Sequence, residues 1–260
     1  MSKIGVLLLS FAAFSQPCAV QTEQPTPKAS LEMVMSSIEE KLVQCRILIA
    51  MHSPHHPNVV VGFDTFASTL THAYMAGEGL ILDDVYQIID GIVFSAEKHQ
   101  FQTRKDSSNT PYIIHPIGVA NNLMTIGKVR DADVIIAALL HDTVEDTDTS
   151  FDEIESRFGV RVTDFVREVT DDKSLAKDVR KRLQIEHAPH KSFGAAQVKL
   201  SDKLYNLSDM AKCPPQGWEE ERVDAYFRWA QSVVDNLPWV NAPLKQAVDD
   251  VIASYWKSRG

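Results

Sequence analysis

One histidine and three carboxylates are concentrated in a short stretch of the sequence, His141-Asp142-Thr-Val-Glu145-Asp146. If this stretch is helical, positions i, i+1, i+4 and i+5 lie on one face about 100° wide. Carboxylates at such close range repel one another and burial disfavours their charged forms, so the cluster needs a cation nearby. A divalent metal ion is the simplest such cation. The alternative is a solvated acidic helix end that continues to Asp148.

Two other stretches carry residues that can bind a metal ion. His115 lies in Pro111-Tyr-Ile-Ile-His115-Pro116, which predicts a histidine fixed between helices by flanking prolines. Asp202 and Asn206 are four residues apart in an otherwise apolar helical pattern, so they share a helix face. Taken singly, His115 is explained as a loop histidine and Asp202 as a salt-bridged helix residue. Taken in order, His…His-Asp…Asp resembles the ligand pattern of the HD-domain metal-dependent phosphohydrolases.

The elements that must position these residues are predicted to be helices. From residue 83 the apolar residues recur at i, i+3, i+4 and i+7, and residues 134–140 are apolar on every side and lead directly into His141. Ser150 and Glu153 have the spacing of a capping box at a helix start. Further helical patterns cover roughly 160–170, 175–187, 193–211, 217–237 and 243–258. Because no alternating run is long enough to require a sheet, we predict an all-α fold class.

Composition limits the kinds of function that remain. The chain has 260 residues, of which 44% are hydrophobic and 23% charged, as in a soluble globular protein with one large domain. Its net charge of -9 argues against a general nucleic-acid binder, although a local basic cluster can still hold a small anionic substrate. Three cysteines are too few for a disulfide framework or a cysteine zinc module.

About two-thirds of the chain, residues 84–258, resembles the small RelA/SpoT-type hydrolases, including their metazoan members. The resemblance rests on Arg104-Lys105-Asp106, residues 110–120 around His115, residues 137–147 around His141, Val169-Thr-Asp-Asp-Lys173, residues 199–207 around Asp202, and Tyr226-Phe-Arg-Trp229. These motifs are long and occur in the family's order. The resemblance implies an HD-domain helical bundle, here with an additional N-terminal extension.

The resemblance also implies the roles of the site residues. It implies metal coordination by His115, His141, Asp142 and Asp202, with Glu145 and Asp146 positioning and deprotonating the attacking water. Two imidazoles and two carboxylates suit Mn²⁺, and the same set is compatible with Fe²⁺ or Zn²⁺. The implied reaction is metal-dependent hydrolysis of the 3′-pyrophosphate of guanosine 3′,5′-bis(diphosphate), (p)ppGpp, to GDP or GTP and pyrophosphate.

A substrate that carries two diphosphates requires cations and a surface for the base. The predicted substrate contacts are Arg104, Lys105, Lys177, Asn206 and Tyr226. The other basic residues of 177–182 are interpreted as solvated helix surface. The remaining Tyr and Trp residues near this region, Tyr205 and Trp229, are interpreted as core.

Two other functions remain open at this point. The first is a phosphatase acting on a ribose phosphomonoester such as the 2′-phosphate of NADPH, which would need the same metal and cations. The second is an inactive nucleotide-sensing module. Glu145 and Asp146 favour catalysis over mere sensing, because binding alone does not require a pair that activates water.

The N-terminal part carries no chemically specific motif. Residues 1–15, with Lys3 before an apolar run, are a possible signal peptide or an apolar extension, too short to span a bilayer. Residues 16–80 are an extension of unknown role: a linker over 16–30, a helix over 31–50 and a break over 51–57. The hydrolase domain is expected over 81–260.

The compartment is inferred from a glycosylation motif. The sequon Asn206-Leu207-Ser208 falls within the predicted site, where a glycan would block the pocket. We therefore expect a cytoplasmic enzyme, with secretion as the alternative if residues 1–15 act as a signal peptide. The expected partner is a small-molecule nucleotide, with neither nucleic acid nor membrane, and the sequence does not predict an oligomeric state.

Overall fold

The computed structural model describes residues 27–238 and 241–260, and these residues form helices joined by short connections, with no β-strand among them. The helices are α1 (Pro27–His52), α2 (Pro57–Met75), α3 (Leu82–Lys98), α4 (Ile114–Thr125), α5 (Ala132–Leu140), α6 (Thr143–Asp146), α7 (Phe151–Phe158), α8 (Val160–Val169), α9 (Lys177–His187), α10 (Phe193–Lys212), α11 (Glu220–Asp235) and α12 (Ala242–Lys257). The predicted all-α class is therefore confirmed.

Helix α5 lies at the centre of the core. Every side chain from Val134 to Leu140 is buried, and α5 packs against α3, α4, α8 and α10. Asp131 caps its N-terminus, with a side-chain oxygen that accepts a hydrogen bond from the Asp133 amide at 3.2 Å. A helix that is apolar on every side has no solvent face, so its C-terminal end delivers His141 into the interior.

Helices α4 and α10 pack closely beside α5. The Ser201 hydroxyl of α10 donates a hydrogen bond to the Val119 carbonyl of α4 at 2.7 Å. At Gly118 a Cβ atom would lie 2.0 Å from Cε2 of the Tyr205 ring, so the absence of a side chain there lets the ring lie against α4. This contact sets the spacing between the helix that carries His115 and the helix that carries Asp202.

The helices α8 to α12 follow the predicted ranges to within a few residues. Helix α7 begins where the capping signal placed it, because the Ser150 side chain accepts a hydrogen bond from the Glu153 amide at 3.1 Å. The predicted position of His115 between helices is wrong. His115 lies in the first turn of α4, since a proline such as Pro116 is tolerated in the first turn, where no intrahelical donor is lost.

The predicted helix does not run unbroken from 134 to 146. Helix α5 ends at Leu140 and α6 begins at Thr143. The Thr143 hydroxyl donates to the Leu140 carbonyl at 2.7 Å and His141 Nδ1 lies 2.8 Å from the Ala138 carbonyl oxygen, so side chains take up backbone acceptors at this point. Asp142 lies at this interruption, between the two helices. Its backbone stays in the right-handed helical region, with φ −101° and ψ −4°.

The chain divides into two units, and of the described residues 27–36 belong to the first and the remainder to the second. The predicted helix over 31–50 is present as α1, but residues 27–30, predicted as linker, are helical as well. A proline at a first helical position, as at Pro27, is compatible with helix formation. The predicted break over 51–57 is confirmed, because α1 ends at His52 and α2 starts at Pro57.

Within the second unit, α2 is an amphipathic helix that the sequence analysis did not identify. Its buried residues include Val59, Phe63, Phe66 and Leu70, and it packs against α4. The possible signal peptide over 1–15 and the linker residues 16–26 lie outside the described residues. None of the described helices is long and apolar enough to cross a membrane.

Candidate metal centre and active site

Two imidazoles and two carboxylates converge at the ends of α4 and α5 and in the middle of α10. The Nε2 atoms of His115 and His141 are 3.2 Å apart. Asp142 Oδ2 lies 3.5 Å from His115 Nε2 and 3.0 Å from His141 Nε2. Asp202 Oδ1 lies 3.4 Å and 3.8 Å from the same two nitrogens. The fold therefore brings all four predicted ligands together from three separate elements.

The histidine at the end of α5 has a fixed orientation. His141 Nδ1 hydrogen-bonds the Ala138 carbonyl at 2.8 Å, and a carbonyl only accepts, so Nδ1 carries the proton. Its Nε2 then faces the cluster with a free lone pair when the ring is neutral. A backbone partner on one ring nitrogen is the arrangement that orients a metal-binding histidine.

Electrostatics keep both carboxylates of the cluster ionised. Burial raises the pKa of Asp142, but His141 and His115 outweigh it and hold that pKa well below its usual range. Burial likewise raises the pKa of Asp202, and the outcome is a strongly lowered pKa because Lys203 and His115 act against it. Burial lowers the pKa of His141, whereas Asp142 and Asp202 raise it to about 9. The cluster is therefore an anionic site that attracts positive charge.

These residues fit a divalent metal ion. Donor atoms of His115, His141 and Asp202 all lie within 4.8 Å of one another, and the three residues are buried. Asp142 lies outside that closest set, although its Oδ2 is within 3.5 Å of both imidazoles. Mixed imidazole and carboxylate donors suit Mn²⁺, Fe²⁺ or Zn²⁺.

Glu145 lies beside this cluster, on α6. Its Oε2 accepts a hydrogen bond from the Asp171 amide at 3.3 Å, and Arg180 Nη1 lies 3.4 Å from Oε1. Burial raises the pKa of Glu145, and the Asp171 and Asp142 carboxylates raise it further. A carboxylate with a raised pKa is a stronger base than an ordinary one, as proton abstraction requires.

Asp146, at the end of α6, is held from two sides. Lys173 Nζ contacts Asp146 Oδ1, and Gln102 Nε2 donates to the Asp146 carbonyl at 2.5 Å. Asp146 also lines a cavity of about 450 Å³ beside the cluster, which we call the first cavity. Asp146 thus borders a space large enough for a ligand, whereas Glu145 does not line that space.

Four of the five predicted substrate contacts line the first cavity. Its lining includes Arg104, Lys105, Asn206 and Tyr226. Lys105 is exposed and forms no ion pair with a described residue. Asn206 Nδ2 donates to Asp202 Oδ1 at 2.6 Å, so it also orients a carboxylate of the cluster.

Arg104 is engaged in a way that the sequence did not indicate. Its Nη2 donates to Asp209 Oδ2 at 2.8 Å and to Asn206 Oδ1 at 3.0 Å, and its guanidinium carbon lies 5.8 Å from the ring centroids of Tyr112 and Tyr205. Burial lowers the pKa of Arg104, and the Asp209 carboxylate more than restores it. The cation is therefore oriented at the cavity but already paired.

The basic helix α9 differs from its interpretation as solvated surface. Arg182 is exposed and pairs with Glu186, as expected. Arg180, in contrast, contacts Glu145, and Lys181 Nζ lies over the Trp229 ring, 4.7 Å from its centroid, so for these two residues the interpretation is wrong. Both are only partly exposed.

Lys177 does not line the first cavity. It is exposed, and its Nζ lies 5.8 Å from the centroid of the Trp218 ring. Burial lowers the pKa of Lys177, and the nearby Arg222 and Lys105 charges lower it further. The predicted core role of Tyr205 agrees with its position, because its ring contacts the His115 ring with centroids 5.0 Å apart.

Two residues that support the cluster were not assigned a role from the sequence. The Tyr112 hydroxyl donates to Asp142 Oδ2 at 2.5 Å. The buried Lys203 Nζ lies 3.1 Å from Asp202 Oδ2. Each is adjacent to a proposed ligand in space or sequence, and the position of Lys203 directly after Asp202 was the one signal available in the sequence.

Comparisons with known proteins agree with this geometry. The HD-domain family matches residues 92–228. The Xenopus tropicalis protein named guanosine-3′,5′-bis(diphosphate) 3′-pyrophosphohydrolase MESH1 is 55% identical over 166 residues, a match that covers 64% of this chain and 93% of that protein. The Homo sapiens protein of the same name is 53% identical over 174 residues, covering 67% of this chain and 95% of that protein.

A solved structure gives the same result. The structure described as a metazoan ortholog of SpoT that hydrolyzes ppGpp and plays a role in starvation responses matches with a TM-score of 0.63 and 48% sequence identity. The match covers 67% of this chain and 96% of that chain. The chain therefore belongs to the HD-domain family, in the group of RelA/SpoT-type hydrolases.

Proposed function

We propose that this protein is a Mn²⁺-dependent enzyme that hydrolyses the 3′-pyrophosphate of (p)ppGpp to GDP or GTP and pyrophosphate. The observation that carries the proposal is the convergence of His115, His141, Asp142 and Asp202 beside a carboxylate with a raised pKa. The names of the relatives, which are more than half identical over nearly their whole length, support this substrate.

In the proposed reaction the four cluster residues hold the metal, which when bound lowers the pKa of water and polarises a phosphoryl oxygen. Glu145 takes a proton from the attacking water. Asp146, held through its carbonyl and by Lys173, orients that water. The water oxygen bonds to the phosphorus next to the ribose 3′ oxygen, and the bond between that phosphorus and the 3′ oxygen breaks. The 3′ oxygen takes up a proton from solvent, which balances the proton that Glu145 removed from the attacking water.

The residues around the first cavity bind the substrate phosphates. Arg104 presents a planar guanidinium, which suits bidentate contact with phosphate oxygens, and Lys105 supplies an unpaired point charge. Lys177 lies farther out and extends the positive region. Tyr226 offers a ring at the cavity wall for the base, with a hydroxyl whose pKa is raised by burial, so that it stays protonated and can donate.

The decisive experiment is product analysis. The purified full chain is incubated with Mn²⁺ and ppGpp, and GDP and pyrophosphate are quantified; parallel reactions contain Fe²⁺, Zn²⁺ or a chelator. We expect equal amounts of both products with Mn²⁺ and none with the chelator. A parallel incubation with NADPH tests phosphate release from a ribose 2′ position. Release of phosphate from NADPH without cleavage of ppGpp would overturn the proposed substrate.

The proposed compartment is the cytoplasm. Asn206 of the sequon Asn206-Leu207-Ser208 donates to Asp202 and accepts from Arg104, so its amide is engaged within the site. A glycan on that nitrogen would remove the bond to Asp202 and fill the first cavity. Mass spectrometry of the native protein should find Asn206 unmodified, and a glycan there would contradict the proposal.

We propose that residues 81–260 are the hydrolase domain and that residues 16–80 are an extension. Helix α2 gives the extension a structural role, because its apolar face covers α4, the helix that carries His115. Removal of α2 would expose to water the surface of α4 against which it packs, at a cost of about 25 cal/mol for each Å² of apolar surface. We therefore expect a chain that starts at residue 81 to unfold at a lower temperature than the full chain.

A further inference from the structure

A buried histidine outside the cluster is connected to Asp146. His99 follows the last turn of α3 and is 2% exposed. Its Nδ1 lies 2.7 Å from Gln102 Oε1, and Gln102 Nε2 donates to the Asp146 carbonyl at 2.5 Å. A continuous chain of hydrogen bonds thus runs from α3 to the end of α6.

The direction of each bond in this chain is determined. The Asp146 carbonyl can only accept, so the Gln102 amide nitrogen must face it and Gln102 Oε1 must face His99. His99 therefore carries its proton on Nδ1. Its Nε2 is buried with no hydrogen-bond partner among the described residues. Burial lowers the pKa of His99, so the ring is neutral and Nε2 is a bare acceptor.

The same histidine also supports the other side of the cluster. Its ring packs against the Tyr112 ring with centroids 4.9 Å apart, and the Tyr112 hydroxyl donates to Asp142 Oδ2. The Tyr112 amide donates to the Gln102 carbonyl at 2.9 Å. His99 therefore contacts both Gln102, which binds the Asp146 carbonyl, and Tyr112, which binds the Asp142 carboxylate.

From this arrangement we infer that His99 is a positioning residue, which acts through Gln102 to fix the backbone of Asp146 and hence the direction of its carboxylate. The role of Asp146 in this inference rests on the proposed function. Gln102 lines the first cavity next to Asp146, so loss of its partner would free a polar side chain at the place where the water is oriented. His99 itself stays out of contact with the substrate space.

The test uses three variants that separate the two ring nitrogens. His99→Asn keeps an amide donor near the position of Nδ1, His99→Gln places its amide near the position of Nε2, and His99→Leu keeps neither. We expect kcat for His99→Asn within about threefold of the parent, and a loss of about tenfold or more for the other two. KM should change less than twofold, because the cations that bind phosphate are untouched. Equal losses in all three variants would overturn the inference.

A double-mutant cycle excludes a general structural effect. If His99 acts through Asp146, then His99→Leu should change the residual single-turnover rate less than twofold in an Asp146→Asn background. A tenfold loss in both backgrounds would show that the histidine acts elsewhere. Thermal unfolding midpoints of His99→Gln and His99→Asn serve as the matched stability comparison.

A substrate-free measurement keeps the inference separate from the proposed function. Nitrogen-15 NMR of the histidine-labelled full chain should show the His99 ring protonated on Nδ1, and Gln102→Leu should change that signal. An Nε2-protonated ring would overturn the inference even in an active enzyme. If the parent does not cleave ppGpp, the proposed function and the catalytic consequence for Asp146 are both wrong. The tautomer still shows whether His99 donates a hydrogen bond from Nδ1 to Gln102.

Discussion

The cluster of proposed metal ligands and the cations of the first cavity are neighbouring parts of the proposed site, but they are built differently. The cluster consists of short side chains that are mostly buried and face one another within 4 Å. The cavity cations are long side chains, and Arg104 is bound to Asp209 while Lys105 extends into solvent. The fold thus determines the positions of the proposed metal ligands and leaves the proposed substrate contacts able to rearrange.

The physical cause is the number of rotatable bonds between backbone and functional atom. An imidazole or an aspartate carboxylate is placed by two side-chain torsions, so fixed helices fix its position. An arginine or lysine has several more torsions and about 2 kcal/mol of rotamer entropy, so the backbone alone does not fix the position of its charge. We therefore expect substitutions in the cluster to reduce activity more than substitutions in the cavity.

The largest effect is expected for Asp202→Asn. The amide removes the negative charge that faces both imidazoles, so bound Mn²⁺ should fall to well below one ion per chain. Activity should fall by about 1,000-fold, since metal catalysis is worth several kcal/mol. Metal content measured by elemental analysis, together with kcat/KM, checks this. Asp209→Asn, two turns further along α10, is the control and should retain the metal; full occupancy in Asp202→Asn would contradict the ligand role.

The second effect separates water activation from metal binding. Glu145→Gln keeps the shape of the side chain and an oxygen that accepts from the Asp171 amide, but it cannot take a proton. We expect kcat to fall by about 100- to 1,000-fold with metal content unchanged. Glu153→Gln on α7 is a matched control at a surface ion pair and should leave kcat within twofold. A Glu145→Gln protein that turns over like the parent would remove the proposed base.

Substitutions of residues that line the first cavity should change KM. Arg104→Met removes a guanidinium but keeps much of the stem, and we expect KM for ppGpp to rise about tenfold with a smaller change in kcat. Asp209→Asn should lower KM about threefold, because Arg104 is then free to bind phosphate. Steady-state kinetics of both variants measure this pair. A rise in KM for Asp209→Asn would mean that the carboxylate orients Arg104 and does not compete for it.

The smallest effect is a shift along the pH axis. If Glu145 is the base, as proposed, it must be ionised for catalysis, so kcat/KM should rise with pH through the pKa of this residue and level off above it. Burial, Asp171 and Asp142 raise that pKa, so the rise should occur at a higher pH than the ordinary glutamate value of about 4.3. Arg180→Met removes a cation 3.4 Å from Glu145 and should shift the rise severalfold in proton concentration to still higher pH. An unchanged pH profile in Arg180→Met would show that Arg180 does not influence the pKa of Glu145.

The sequence predicted the parts of the molecule that depend on residue type and period. The seven apolar residues before His141 predicted a buried helix, and α5 is buried along that whole length. Helix α2 was not predicted although Val59, Phe63, Phe66 and Leu70 have helical spacing, because the region before residue 80 carries no chemical motif. That omission was one of interpretation, since the periodic signal is present.

Other features could not be predicted from the sequence because they depend on contacts between distant elements. The break at 141–142 arises from side-chain hydrogen bonds to the Ala138 and Leu140 carbonyls, which a helical period does not contain. The pairing of Arg104 with Asp209 joins residues more than a hundred positions apart. The inward positions of Arg180 and Lys181 depend on where α6 and α11 lie, so a run of basic residues alone predicts only surface.

The glycine at position 118 affects His115, which lies three positions earlier in the chain. The Tyr205 ring lies against both Gly118 and the His115 imidazole, and a single methyl group at 118 would collide with the ring. To relieve the collision, the ring would have to move towards the imidazole or α4 and α10 would have to separate. One added carbon atom would thereby change the distance between the proposed ligands His115 on α4 and Asp202 on α10.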